Sequence, residues 1–222
     1  MKVLVIPDIH LKPWIFDEAD KIIDKYNIDN AVFIGDLVDD WGKTYHIDLY
    51  KDTIERAELF KCMHKNSLFC YGNHEVAYIV NGKCSGNSEI FRSEIKYLLN
   101  KYERVVEPKV IHKIDNVVFS HAGIENKGDK DTCIEEWNNK RLKDVYFDLD
   151  SPLWLRPYDF IKFMDFPQVI GHTPVEQVIE KDNVWFVDTF STYSNGKPFG
   201  NNSFMIIDTI SLDATVIGVD EI

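Results

Sequence analysis

The sequence predicts an α/β fold of two packed sheets, and two observations predict it. Residues 2–73 alternate short β-branched runs with amphipathic helical segments, a βαβαβ order that favours a parallel sheet. The second half is richer in short apolar runs joined by turn signals, which reads as hairpins of a second sheet.

The first element, "KVLVI" (2–6), is a β-branched run ended by Pro7 and reads as a buried strand. "DEADKIIDKY" (17–26) has acidic residues in its first turn and Ile22, Ile23 and Tyr26 at helical spacing. "NAVFIGD" (30–36) is a second strand running into Gly-Asp. "IDLYKDTIERAELFKCMHK" (47–65) fits a longer helix with Tyr50, Ile54 and Ala57 on one face, and "SLFCYGN" (67–73) is a third strand. Ser88 is placed to cap a helix carrying Phe91, Ile95, Leu98, Leu99 and Tyr102. "KVIHKIDNVVFSHAG" (109–123) predicts two strands around an Asp115-Asn116 turn. Residues 125–150 are polar and acidic, with Trp137 as the main anchor, and read as a loop-and-helix excursion over the active-site face. "QVIGHTP" (168–174), "NVWFVDT" (183–189), "SFMIID" (203–208) and "ATVIGV" (214–219) read as late strands.

The chain has 222 residues, 45% of them hydrophobic, enough for one sizeable core; one domain over 1–222 is the expectation. The net charge of −12 and the scattered arginines give no basic stripe for a nucleic-acid backbone. The opening "MKVLVIPDIH" has too short an apolar run for a signal peptide, and no run approaches a membrane span. The four cysteines form no CxxC pair, so a cytoplasmic protein with reduced thiols is expected.

Each early strand ends in a polar cluster. These are Asp8-Ile9-His10, Gly35-Asp36 with Asp39 and Asp40, and Gly72-Asn73-His74-Glu75. Two later strands end in Ser120-His121-Ala122-Gly123 and Gly171-His172-Thr173. Ligands of α/β sheets bind beyond the carboxyl ends of strands, so these clusters should converge. Asp8, His10, Asp36, Asn73, His121 and His172 offer carboxylate, imidazole and amide oxygen but no thiolate. That mix suits Mn²⁺, Fe or Zn²⁺ better than a structural cysteine site. Six donors exceed what one catalytic ion with open positions needs. They fit two divalent metal ions if one carboxylate bridges, the usual arrangement for phosphate-ester hydrolysis.

The ordered set Asp8-x-His10, Gly35-Asp36-x-x-Asp39, Gly72-Asn73-His74-Glu75, His121-Ala-Gly and Gly171-His172-Thr173 resembles the calcineurin-like metallophosphoesterases. It looks most like their PPP group of serine/threonine phosphatases and bacterial diadenosine tetraphosphatases. The resemblance spans residues 8 to about 190. It implies a four-layer αββα sandwich of two mixed sheets, with a dimetal site at one end of both. It implies that Asp8, His10 and Asp36 hold one metal, that Asp36 bridges, and that Asn73, His121 and His172 complete the second. His74 would be the general acid, oriented by Asp39. A histidine titrates in the useful range for that task, and a carboxylate partner keeps it protonated. Glu75 reads as support for a ligand or the backbone.

The sequence also departs from the group. Asp40-Trp41 stands where the pattern has the Arg-Gly that grips phosphate, Pro7 replaces a glycine before the first Asp, and Leu11 replaces one after the first His. "SPLWLRP" (151–157) resembles a Leu-Trp-x-Arg segment of bacterial members, which makes Arg156 the candidate phosphate ligand. Asp188 in "FVDT" matches a segment near the site and reads as structural.

The function expected is hydrolysis of phosphate monoesters by a water activated between two metals, with phosphoserine or phosphothreonine in proteins as the leading substrate. Diadenosine tetraphosphate hydrolysis is the alternative, since both reactions use the same metals and acid. A nuclease is disfavoured by the acidic charge, and a non-catalytic scaffold by the full ligand set.

Overall fold

The computed structural model of the chain describes residues 1–157 and 162–222. The first sheet has the order β10-β9-β1-β2-β3. Its strands are β1 (Lys2–Ile6), β2 (Asn30–Phe33), β3 (Leu68–Phe69), β9 (Ser203–Asp208) and β10 (Ala214–Gly218). The second has the order β4-β5-β6-β8-β7. Its strands are β4 (Ile111–Ile114), β5 (Val117–Ser120), β6 (Gln168–Ile170), β7 (Ile179–Lys181) and β8 (Val184–Phe186). β1, β2 and β3 run parallel, with Val5 beside Val32 and Phe33 beside Phe69. Both sheets are mixed, as the sequence predicts, but the strands divide differently. "SFMIID" and "ATVIGV" add antiparallel to β1 rather than joining the second sheet, with Val5 opposite Met205. β7 escapes the sequence pattern because all three of its residues are exposed, so no apolar alternation marks it.

The sheets pack face to face. Val3, Val5, Val32, Ile34, Met205 and Ile207 of the first meet Val117, Phe119, Val169, Trp185 and Val187 of the second. Helices close both outer faces. Helices α1 (Trp14–Tyr26), α2 (Ile47–Met63) and α4 (Arg92–Val106) bury their apolar stripes on the first sheet. Helix α3 (Asn73–Ile79) joins α5 (Lys130–Asn139) and α6 (Leu142–Phe147) over the second. The result is a four-layer αββα sandwich. The rings of Phe33 and Phe69 stack at 4.1 Å, and Phe60 of α2 meets Phe33 edge-on at 5.0 Å. This aromatic wedge fixes the exits of β2 and β3, each ring contributing about 1.5–3 kcal/mol by burial.

Two boundaries bear on the site. α1 begins three residues before the predicted Asp17, just after Pro13, whose fixed φ suits a helix start. β3 ends at Phe69, and Asn73 opens a helix rather than ending a strand. Ser88 also sits outside α4, which starts at Arg92; its hydroxyl donates to Thr44 O at 2.6 Å and accepts from Phe91 N, just before the helix, at 3.4 Å.

His112 of β4 stitches the sheets together. Its Nε2 donates to Phe69 O at 2.9 Å, and burial pushes its pKa down to about 4. The ring is neutral in both states above pH 6.5. Below that, the unfolded chain takes a proton that the folded chain refuses until about pH 4. Stability therefore falls with falling pH across that window, by at most about 1.4 kcal/mol per unit. Urea unfolding at pH 7 and pH 5, with identical metal content, should show wild type losing about 2 kcal/mol more than His112→Gln. Equal losses would contradict this account of His112.

Candidate metal centre

The strand exits interlock through their backbones. Ile9 N and His10 N both donate to Asp36 O, at 3.0 and 2.8 Å, and Leu11 N donates to Leu37 O at 3.2 Å. This places the loop after β1 directly on the loop after β2. The loops after β3 and β6 approach as closely. A Cβ on Gly72 would lie 2.1 Å from Asp36 N, and one on Gly171 would lie 2.1 Å from Asp8 Oδ2. Only glycine fits at either position. Glu75 then ties two loops, accepting from Val38 N at 3.0 Å and from Gly72 N at 2.9 Å. His10, Asp36, Asp39 and His172 all sit at positive φ, between 46° and 66°. Left-handed backbone costs a non-glycine residue about 1–2 kcal/mol. The surrounding contacts overdetermine it, as they do at functional sites.

These loops aim the side chains. Asp8 Oδ1 accepts from His172 N at 3.0 Å, and Asp36 Oδ1 from His74 N at 3.1 Å. Each carboxylate is thus held by one oxygen and presents the other. Asp8 Oδ2 is buried and has no hydrogen-bond partner among the described residues. Asp36 Oδ2 lies 3.4 Å from His121 Nε2 and 3.8 Å from His10 Nε2. The imidazoles are oriented from behind. His10 Nδ1 donates to Asp39 O at 2.9 Å and His121 Nδ1 to Ile34 O at 3.0 Å, which turns both Nε2 atoms toward the acids. His172 Nδ1 faces the same point. Asn73 Oδ1 sits 2.8 Å from His121 Nε2 and 3.1 Å from His172 Nδ1, an oxygen set among acceptors.

Two donor groups result. Asp8, His10 and Asp36 converge within 4.8 Å, and so do Asp36, His121 and His172, with Asp36 common to both. Electrostatics mark the same point. Burial raises Asp8 well above the ordinary carboxylate range, and Asp188 adds to the shift. Burial and the charge of Asp36 push Glu75 up to about 7. Burial also raises Asp188, whose oxygens accept from Ser191 N and Oγ. Burial opposes the charge of Asp36, but His121, His74 and His10 outweigh it and hold that carboxylate well below the usual range. Burial likewise opposes protonation of His121, yet Asp36 and Asp8 lift its pKa to about 9. A buried carboxylate oxygen without a partner among the described residues, and imidazole nitrogens turned inward beside it, suit bound positive charge. Oxygen and imidazole donors sharing one carboxylate fit two divalent cations.

Beside this point, His74 Nδ1 donates to Asp39 Oδ2 at 2.9 Å, which leaves Nε2 toward the cleft. Burial works against a charge on His74, but Asp36 and Asp39 lift its pKa well above the usual value. The cleft encloses about 180 Å³ and is lined by these groups with Trp41, Cys84, Trp154 and Arg156. Arg156 Nη1 donates to His172 O at 3.0 Å, so the guanidinium stands on the rim beside the second donor group. Asp40 pairs with Lys43 at 2.8 Å and Lys12 at 3.4 Å, which neutralises it. Among the described residues that line the cleft, none comes from 125–150. Instead Tyr146 of α6 donates to Lys83 O at 2.7 Å and braces the 82–87 loop from behind.

Sequence reasoning missed several groups near His74. Cys84 Sγ accepts from Asn73 Nδ2 at 3.0 Å, and Asn87, Tyr50 and Tyr78 all reach Asp39. Apolar periodicity already accounts for both tyrosines, so no signal singled out their hydroxyls. The Gly-rich loop before Asn87 offered only its proximity in sequence.

Comparison with known proteins identifies the family of the chain. No curated protein matches the sequence. A solved cold-active protein-tyrosine phosphatase from a psychrophilic Shewanella superposes with a TM-score of 0.63 at 17% identity, over 97% of this chain and 80% of that one. A metallophosphoesterase from Sphaerobacter thermophilus superposes at 0.52 and 15% identity, over 100% and 89%. At such identities these likenesses concern the fold. The family model of calcineurin-like phosphoesterases, by contrast, matches residues 1–214, nearly the whole chain. Members of that family hydrolyse phosphoric esters with divalent metals, the chemistry for which the paired donor groups around Asp36 are suited. The chain belongs to the calcineurin-like phosphoesterase family and is a metal-dependent phosphoester hydrolase.

Proposed function

We propose that the chain is a dimetal phosphomonoesterase of the PPP type, acting on phosphoserine and phosphothreonine in proteins. Asp8, His10 and Asp36 would hold one ion, and Asp36, Asn73, His121 and His172 the other. Two divalent ions bound there supply a water acidified toward neutral pH and neutralise the phosphoryl oxygens. Mn²⁺ suits the mixed oxygen and imidazole donors, with Fe and Zn²⁺ as competitors. The four free cysteines suit a reducing, cytoplasmic setting.

The chain's own residues do the rest. His74 gives its Nε2 proton to the leaving oxygen as the P–O bond breaks, and Asp39 holds the Nδ1 proton in place. Arg156 turns its remaining N–H groups to the phosphoryl oxygens while Nη1 stays on His172 O. With Asp40 neutralised by two lysines, the position where the PPP pattern has arginine does not repel phosphate.

The observation that carries this reading is the His74–Asp39 pair facing the cleft beside the shared Asp36. A serine or threonine alkoxide is a poor leaving group and needs a proton, which a His74 held protonated beside Asp39 is placed to give. The small open cleft has room for one phosphoryl group and the start of its ester, with the remainder of the substrate outside.

The test is the Mn²⁺-loaded enzyme assayed in parallel on a phosphothreonine peptide, diadenosine tetraphosphate and a bis-aryl phosphodiester. The peptide should have the highest kcat/KM, by about tenfold or more. Preference for the tetraphosphate or the diester would overturn the substrate assignment. Arg156→Ala should lower kcat/KM on the peptide about tenfold or more, and Arg156→Lys should restore little of it. Unchanged kinetics would leave Arg156 only its contact with His172.

A further inference from the structure

The Asp39 carboxylate is buried and accepts four hydrogen bonds. Tyr50 and Tyr78 both donate their hydroxyls to Oδ1, at 2.6 and 2.7 Å. Asn87 Nδ2 and His74 Nδ1 donate to Oδ2, at 2.6 and 2.9 Å. These donors come from α2, from the start and the C-terminal end of α3, and from the loop before α4. Both tyrosines are fully buried. Phenylalanine would fill either space without a hydroxyl to desolvate, so a purely apolar role does not account for two phenols on one oxygen. Tyr78 is itself fixed, because its oxygen accepts from Ser88 N at 2.6 Å. Asn87 is fixed too, its Oδ1 accepting from Cys84 N at 2.7 Å.

We infer that Tyr50 and Tyr78, with Asn87, are positioning residues for proton donation by His74. They lock the Asp39 carboxylate in one rotamer, so that Oδ2 holds the Nδ1 proton and Nε2 faces the leaving oxygen. The phenols stay protonated, since burial and the neighbouring Asp39 charge raise both pKa values. They therefore act as permanent donors. None of the three needs to touch substrate. During turnover a water oxygen bonds to phosphorus as the ester P–O bond breaks, the Nε2 proton passes to the departing ester oxygen and is later replaced from solvent, and the Nδ1 proton stays between His74 and Asp39. A carboxylate that lost its Oδ1 donors would be free to rotate and would hold the ring less firmly in that pose.

This inference rests on His74 acting as the acid, and the experiment separates the two claims. Wild type, Tyr50→Phe, Tyr78→Phe, the double variant, Asn87→Ala and His74→Ala are assayed on phosphate monoesters that differ only in leaving-group basicity, from nitrophenyl to alkyl. Folding is checked by thermal unfolding and metal content by elemental analysis. His74→Ala should lose roughly 10²-fold or more on the alkyl ester and much less on the nitrophenyl ester. Each tyrosine variant should show the same signature at smaller size, about tenfold on the alkyl ester and under about threefold on the nitrophenyl ester, with the double variant larger. A structural role alone would move the unfolding temperature and depress all esters alike. Equal losses across the series in the tyrosine and Asn87 variants, with His74→Ala still dependent on the leaving group, would overturn the inference alone. Independence in His74→Ala as well would overturn the acid assignment and the inference with it. Should the double variant fail to fold, the single variants and Asn87→Ala on the loop before α4 carry the same comparison.

Discussion

Asp36 sits where two sets of donors meet, and three imidazoles offset the cost of burying its charge there. Its Oδ1 is held by the His74 backbone and its Oδ2 faces His121, His10 and His74. Asp8, Glu75 and Asp188 lie buried close enough to raise one another's pKa values or to feel Asp36. Acids do not gather in a protein interior without compensation. Part of that compensation comes from imidazoles and backbone N–H groups. The inward imidazole nitrogens and Asp8 Oδ2, which has no partner among the described residues, suit cations held by oxygen and nitrogen for the rest.

The scaffold exists to hold that arrangement. The aromatic wedge of Phe33, Phe60 and Phe69 fixes where β2 and β3 end. Glycines at 72 and 171 let the exits nest at distances no Cβ tolerates. Glu75 straps two of the loops together through their backbones. Asp39 connects the two halves of the chemistry. Its backbone carbonyl takes the Nδ1 proton of His10, turning that ring toward the acids, while its carboxylate takes the Nδ1 proton of His74. One residue therefore sets the tautomers of a candidate metal ligand and of the candidate acid.

Much of this was legible in the sequence, for a physical reason. Buried parallel strands read as apolar runs, and the residues just past each run build the site, so Asp8, Asp36 and Asn73 announced themselves by position. Their convergence needed only the topology of the sheets. The edge strand β7 was hidden because its residues are exposed, and the pairing of β9 with β1 because hydrophobic pattern does not specify a distant partner. Tyr50 and Tyr78 were hidden differently. They satisfy the helical apolar spacing as well as any core residue, and only coordinates reveal two hydroxyls on one oxygen. The polar segment 125–150 has the composition of a rim, yet its buried Val145 and Tyr146 make it a brace behind the cleft.

The shared carboxylate is the central claim, and anomalous diffraction from crystals of the Mn²⁺-loaded protein tests it most directly. Two peaks about 3.5–4 Å apart are expected on either side of Asp36, one beside Asp8 and His10 and the other beside Asn73, His121 and His172. A single peak, or two ions that do not share Asp36, would contradict it.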